Sequence, residues 1–126
     1  HVVIESQATL GGVTGVHQFC RVGHGSFIGG CSVIHQDIAP FVLAAGSPCR
    51  PYGLNVVGLR RRGFDTDRIR TLERAYRIIY RSGLSEKDAL DRLDREFSDS
   101  EDVGRMAGFI RRAERGLARP RRGDRA

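Results

Sequence analysis

Ile4, Leu10, Val16, Val22, Ile28 and Ile34 recur every six residues without a miss. Gly11, Gly23 and Gly29 directly follow three of them, and a small residue stands four places after each of the first five: Ala8, Thr14, Cys20, Ser26 and Ser32. A period of six is neither the 3.6 of an amphipathic helix nor the 2 of a half-buried strand. It is the period of a parallel β-helix built from six-residue repeats. Three hexads close one coil of roughly 18 residues, and coils stack at strand spacing, roughly 4.8 Å apart. The aliphatic of each hexad points inward, and the residue four places on is small because it shares the same narrow interior. Glycine beside the aliphatic is expected to supply the unusual backbone angles of the corners. Two or three ordinary edge strands with glycine turns would need no such fixed register.

The repeat fills residues 1–38, about two coils by this arithmetic. Its register fails after Ile34, where Ile38 takes the place of a small residue. Asp37, Pro40, Gly46, Pro48 and Pro51 then predict an exit from the last coil into a loop. The register is already running at Ile4, so the first coil presents an unpaired edge and further coils are expected before His1. No apolar run approaches 18 residues and no signal-peptide pattern is visible, so neither a spanning helix nor export is predicted. Cys20, Cys31 and Cys49 show no C-x-x-C spacing and read as three reduced thiols in a cytoplasmic protein.

Charge divides the chain near residue 48. Residues 1–48 carry net −1, residues 49–126 net +7, and all four histidines lie in the first part. The division predicts the end of a β-helix over 1–48, then over 49–126 a loop, a three-helix domain and an Arg-rich tail. Asp65 or Thr66 caps a first helix with Ile69, Leu72, Tyr76 and Ile79 on one stripe and Gly83 as its stop. Ser85 with Asp88 opens a second, whose apolar face is Leu90, Leu93 and Phe97. A third begins near Asp99 or Ser100 and shows Val103, Met106, Ile110 and Ala113. Acids lead that helix and arginines close it, as its dipole favours, with Gly116 as C-cap. Arg119 to Ala126 reads as a frayed polar tail.

Candidate chemistry concentrates in two places. His17 and His35 share a hexad position 18 residues apart, so they stack on one face of adjacent coils. Two imidazoles begin a zinc site, but His1 and His24 fall in other slots, no third ligand is evident, and no metal is assigned. His24 and His35 read as surface residues. His17-Gln18-Phe19 sets a proton-active ring, an amide and an aromatic side by side; as plain structure, this is a decorated coil with Phe19 packed on a neighbouring subunit. The second place is Arg60-Arg61-Arg62, where a guanidinium fork suits a diphosphate. The plain alternative is a solvated basic turn.

The run Gly11-Gly12-Val13-Thr14-Gly15-Val16-His17-Gln18-Phe19-Cys20 resembles the bacterial acyltransferases that load UDP-N-acetylglucosamine in lipid A biosynthesis. The likeness continues through Gly29-Gly30-Cys31-Ser32, Gln36-Asp37-Ile38, Pro51-Tyr52-Gly53-Leu54-Asn55, Gly58-Leu59-Arg60-Arg61-Arg62-Gly63-Phe64 and Ala75-Tyr76-Arg77, weakening only in the last helix and tail. It implies the C-terminal portion of such an enzyme: a left-handed parallel β-helix followed by a C-terminal α-helical domain, assembled as a homotrimer. The reaction implied moves a 3-hydroxyacyl group from acyl carrier protein to the 3-hydroxyl of UDP-N-acetylglucosamine. A histidine general base lies upstream of His1 in that pattern, so no catalytic residue is assigned and this chain alone is expected to be inactive. Substrate-binding positions carried over are His1, His17 and Gln18 in the cleft, Gly30 where acyl length is measured, and Asn55, Arg61 and Arg62 around the uridine diphosphate. Val57 departs from the pattern, where a carboxylate is expected, so one nucleoside contact is not carried over. No cofactor is implied.

The Arg-rich half raises a nucleic-acid reading, but its acids are interleaved, no nucleic-acid motif is present, and 20 Arg to one Lys reflects compositional bias. A basic helical face for the acidic carrier protein fits better. Two alternatives stand beside the acyltransferase: a non-catalytic trimeric hexapeptide-repeat module, and a zinc-dependent hydratase on the same scaffold.

Overall fold

The computed structural model describes residues 1–121; residues 122–126 of the expected tail lie outside the described residues. Each hexad aliphatic ends a two-residue strand: β1 (Val3–Ile4), β2 (Thr9–Leu10), β3 (Gly15–Val16), β4 (Arg21–Val22), β5 (Phe27–Ile28) and β6 (Val33–Ile34). β1 pairs with β4, β2 with β5 and β3 with β6, all parallel, with Ile4 opposite Val22, Leu10 opposite Ile28 and Val16 opposite Ile34. Three separate ladders one coil apart are what the six-residue period demands. Inside the second coil Val22, Ile28 and Ile34 are fully buried, and so are Cys20, Ser26 and Ser32. On the first coil Ile4 is 49% exposed. The hydroxyls of Thr14, Ser26 and Ser32 donate to the carbonyls of Gly11, Gly23 and Gly29 at 2.7, 2.8 and 2.6 Å. The small slot therefore admits a hydroxyl because a carbonyl three residues back satisfies it.

The glycines beside the aliphatics, Gly11, Gly23 and Gly29, do not make the corners. Left-handed backbone falls at Gln7, Val13, Phe19, Gly25 and Cys31, with φ of 62°, 56°, 70°, 70° and 60°, three places after each aliphatic. Gly11, Gly23 and Gly29 serve close approach between coils. A Cβ on Gly11 would lie 2.5 Å from the Gly30 nitrogen, and one on Gly23 would lie 2.3 Å from the Pro40 nitrogen.

The chain does not leave the helix at residue 38. Ile38 bridges Val22 in parallel, and β7 (Val42–Ala45) lies parallel on β5 with Ala44 opposite Ile28. The Val33 N–H donates to Gly46 O at 3.0 Å, and the Cys49 N–H to Val33 O at 2.8 Å. A third coil thus continues, two residues shorter than the others, which is why the hexad register fails while the stacking does not. β8 (Arg50–Leu54) then returns antiparallel along β7, and α1 (Val56–Arg61) follows. The loop expected after residue 48 is a strand and a short helix.

The three long helices match their sequence signals. α2 (Thr66–Arg81), α3 (Glu86–Glu96) and α4 (Glu101–Arg111) are capped by Asp65, Ser85 and Ser100, whose side chains accept from the N–H groups of Arg68, Asp88 and Val103. Such caps contribute about 1 kcal/mol each. Gly116 does not cap α4, which ends at Arg111. Its φ of +80° turns the chain back to the coil: the Asp37 N–H donates to Gly116 O, and the Ala118 N–H to Asp37 O, both at 2.9 Å. Arg119 begins the expected tail but is docked, its Nη1 donating to Ile79 O at 3.1 Å. Buried side chains of coil and helices form one contiguous cluster from Cys20 to Ala118.

Candidate functional site

The register Thr9, Phe27, Leu43, Gly53 runs straight across the β2-β5-β7-β8 sheet. These residues alternate with the buried aliphatics, so their side chains face outward. Phe27 and Leu43 are each 39% exposed. The row walls a groove of about 550 Å3, whose other side is Leu54, Asn55, Val56, Val57, Gly58, Arg61 and Arg62. It is apolar, carries two guanidinium groups, and has no carboxylate in its lining among the described residues.

Asn55 fixes the helical wall. Its Nδ2 donates to Gly25 O at 3.1 Å, its Oδ1 accepts from the Gly58 N–H at 3.3 Å, and its own N–H donates to Phe41 O at 2.7 Å. Both ends of the amide are occupied, so Asn55 bolts α1 to a coil corner. A Cβ on Gly58 would lie 2.4 Å from Asn55 Nδ2, so only glycine fits beside it. Arg62 is also engaged: its Nη2 donates to Gln7 O at 2.6 Å. Arg61 is exposed and has no ion pair or hydrogen-bonded side-chain partner among the described residues. Val57, 64% exposed on the rim, places an isopropyl group where a carboxylate would have offset that charge.

The remaining positions carried over lie elsewhere on this chain. His1 stacks on Phe19 with centroids 5.4 Å apart. His17 meets His35 edge-on at 4.2 Å, as their shared slot predicts; among the described residues no third histidine, cysteine or carboxylate joins them as a metal cluster. Gln18 is exposed between these pairs, and Gly30 is exposed at the turn after β5. None of His1, His17, Gln18 and Gly30 lines the groove. The histidines flank the turn between β3 and β4, on a different side of the coil from the groove.

His24 is not the free surface residue expected. It is half-buried, its Nδ1 is 2.8 Å from Ser6 Oγ, and its ring stands edge-on to Phe41 at 5.7 Å. Burial, then the charges of Arg105 and Arg62, push its pKa down. The three cysteines are free, with Cys20 and Cys49 buried and Cys31 exposed, and burial pushes the Cys49 thiol up to about 11. The sequence reading missed Phe27 and Leu43 as lining residues. Each precedes an inward residue, so strict alternation was the signal available for finding them.

The family profile described as "Udp N-acetylglucosamine O-acyltransferase; Domain 2" matches residues 37–118. The chain belongs to that family. It is 46% identical over 119 residues to the acyl-[acyl-carrier-protein]–UDP-N-acetylglucosamine O-acyltransferase of Alkalilimnicola ehrlichii, covering 94% of this chain and 46% of that protein. The enzyme of the same name from Thiobacillus denitrificans is 45% identical with the same coverage. The solved Francisella novicida UDP-N-acetylglucosamine acyltransferase superposes with a TM-score of 0.91 at 31% identity, over 95% of this chain and 44% of that one. The Bacteroides fragilis structure superposes with 0.90 at 40% identity, over 94% and 46%. The chain thus spans about half the length of the relatives it matches. The region matched to the acyltransferase profile holds Asn55, Arg61 and Arg62, while His1, His17, Gln18 and Gly30 precede it.

Proposed function

We propose that this chain supplies two separate parts of an acyltransferase site. The protein carrying it moves a 3-hydroxyacyl group from acyl carrier protein to the 3-hydroxyl of UDP-N-acetylglucosamine, the first step of lipid A biosynthesis. The observation that carries this reading is Arg61, a guanidinium without an ion pair among the described residues, at the rim of an apolar groove whose described lining holds no carboxylate. A sugar nucleotide offers a diphosphate for the fork and a flat base for the Phe27 and Leu43 wall. Asn55 and Arg62 hold the groove in shape, so their part is positioning.

His1, His17 and Gln18 lie around the coil from this groove, so one copy does not enclose a substrate between them. A homotrimer of left-handed coils, with one copy's histidine corner facing its neighbour's groove, brings the parts together. The division near residue 48 fits this: residues 1–48 present His1, His17, Gln18 and Gly30, and residues 49–126 present Asn55, Arg61 and Arg62. Gly30 leaves room for a long acyl chain. The general base is a histidine outside this chain, and no residue here takes that role. Both reactants are water-soluble, no helix among the described residues is long and apolar enough to cross a membrane, and free thiols suit the cytoplasm.

The test is a pair of neighbouring substitutions. Arg61→Ala is expected to raise KM for the sugar nucleotide roughly tenfold or more, the effect of about 1.5–3 kcal/mol for a lost charged hydrogen bond. Arg62→Ala is expected mainly to lower the melting temperature. An unchanged KM in Arg61→Ala would remove the diphosphate role.

A further inference from the structure

Some arginines in the helical half hold carboxylates closely. Arg68 donates two hydrogen bonds to Asp102 at 3.0 Å, Arg92 bonds Glu96, and Arg111 bonds Asp94. One set does not. Arg70, Arg74, Arg77 and Arg81 follow the spacing four, three, four along α2, so they form one straight row. The row lies opposite the buried stripe of Ile69, Leu72, Tyr76 and Ile79. All four are exposed. The side chains of Arg74 and Arg77 are 61% and 64% exposed, and their nearest carboxylates, Glu96 and Glu73, stand off at 4.0 Å. Arg81 lies 5.7 Å from the Tyr76 ring and Arg74 lies 4.9 Å from that of Phe97. Arg70 has no ion pair among the described residues.

The row leads to the groove. Arg77 and Arg81, with Glu73 and Tyr76, line a cleft of about 140 Å3 whose opposite wall is Gly53, Leu54 and Val56. Leu54 and Val56 also wall the large groove. A partner lying on the row therefore has one end beside the groove proposed to hold the sugar nucleotide.

We infer that Arg70, Arg74, Arg77 and Arg81 form the docking surface for an acidic helix of the protein that delivers the acyl group. The inference rests on the function proposed above, in which that protein is the acyl carrier protein. From Arg70 to Arg81 the row is about 16 Å long at 1.5 Å per residue. Its cations are about 5–6 Å apart, the spacing of carboxylates at i, i+3 and i+4 on a facing helix. Asp67 and Glu73 flank the row on its two sides, which confines the match to a narrow acidic ridge and opposes the paired phosphate rows of a nucleic acid. Exposed charges of this kind set association rate and salt dependence.

The experiment titrates dye-labelled acyl carrier protein with the complete protein that contains this chain, at low and high salt. It compares the unaltered protein with Arg70→Glu/Arg74→Glu/Arg77→Glu and with the corresponding triple Arg→Lys variant. Charge reversal is expected to weaken binding roughly tenfold or more and to abolish most of its salt dependence, while the lysine variant stays within about twofold. Equal affinity in all three proteins overturns the inference. So does displacement of the carrier by short single-stranded DNA as readily as by unlabelled carrier. Transfer from a carrier-free pantetheine thioester, measured alongside, is expected to be unchanged by the substitutions. If the unaltered protein transfers from neither donor, the proposed reaction fails, while the binding titration still decides the docking surface.

Discussion

Arg61 and Arg62 are adjacent and chemically identical, yet only Arg62 has a hydrogen-bond partner for its guanidinium among the described residues, the Gln7 carbonyl. The difference comes from where α1 ends and from the Asn55 amide that pins its start, neither of which spacing reveals. The corners make the same point. A non-glycine residue in the left-handed region costs roughly 1–2 kcal/mol, more for a β-branched side chain. Val13 occupies such a position at φ 56° while 87% exposed. Replacing it with asparagine, which tolerates that backbone, is expected to raise stability by about 1 kcal/mol. Gly23→Ala is expected to lower it by about 3 kcal/mol, because the added Cβ meets the Pro40 backbone. Urea unfolding of both variants checks the pair, and the opposite order of effects would reverse the roles given to glycine and corner. The sequence reading located the glycines but assigned them to the corners rather than to the contacts between coils. Glycine permits both left-handed backbone and close approach, and one letter does not separate the two.

Among the elements, those built from local rules were legible. Six strands follow one period, and three helices follow cap and stripe signals within a few residues of each start. β7 and β8 were not legible, because the third coil drops two residues and β8 pairs only through the tertiary fold. The strap at 116–118 was hidden for a related reason: a left-handed glycine after a helix reads as a C-cap whether it caps or turns the chain. That strap closes on Asp37, which is fully buried. Its Oδ1 accepts from the Arg21 N–H at 2.8 Å, and its Oδ2 has no hydrogen-bond partner among the described residues. Burial raises its pKa above the ordinary 3.8, outweighing the Arg21 N–H bond and the Arg21 and Arg115 charges. The folded chain therefore holds the proton more tightly than the unfolded chain. The resulting stability is complete below 3.8 and is lost as pH rises toward the folded value. Asp37→Asn removes that dependence, so the unaltered chain should lose stability relative to the variant across this window. Urea midpoints over a pH series read the difference, and parallel curves would contradict a buried, titrating Asp37.

For the whole molecule, the candidate residues form two groups that one copy holds apart. The groove lies on the four-stranded sheet, and the histidine corner lies around the coil from it. The family resemblance named both groups, and the period stacked His17 on His35, but neither could say that the groups belong to different sides, since that depends on how three ladders close. The most direct measurement is complementation in the complete protein. Chains carrying His17→Ala are mixed with chains carrying Arg61→Ala, unfolded and refolded together, and assayed at sugar-nucleotide concentrations well below KM. If one copy's corner serves its neighbour's groove, random trimers regain roughly a quarter of the unaltered activity, because about one site in four receives both intact parts. Activity no greater than the sum of the two separate variants would contradict a site shared between copies.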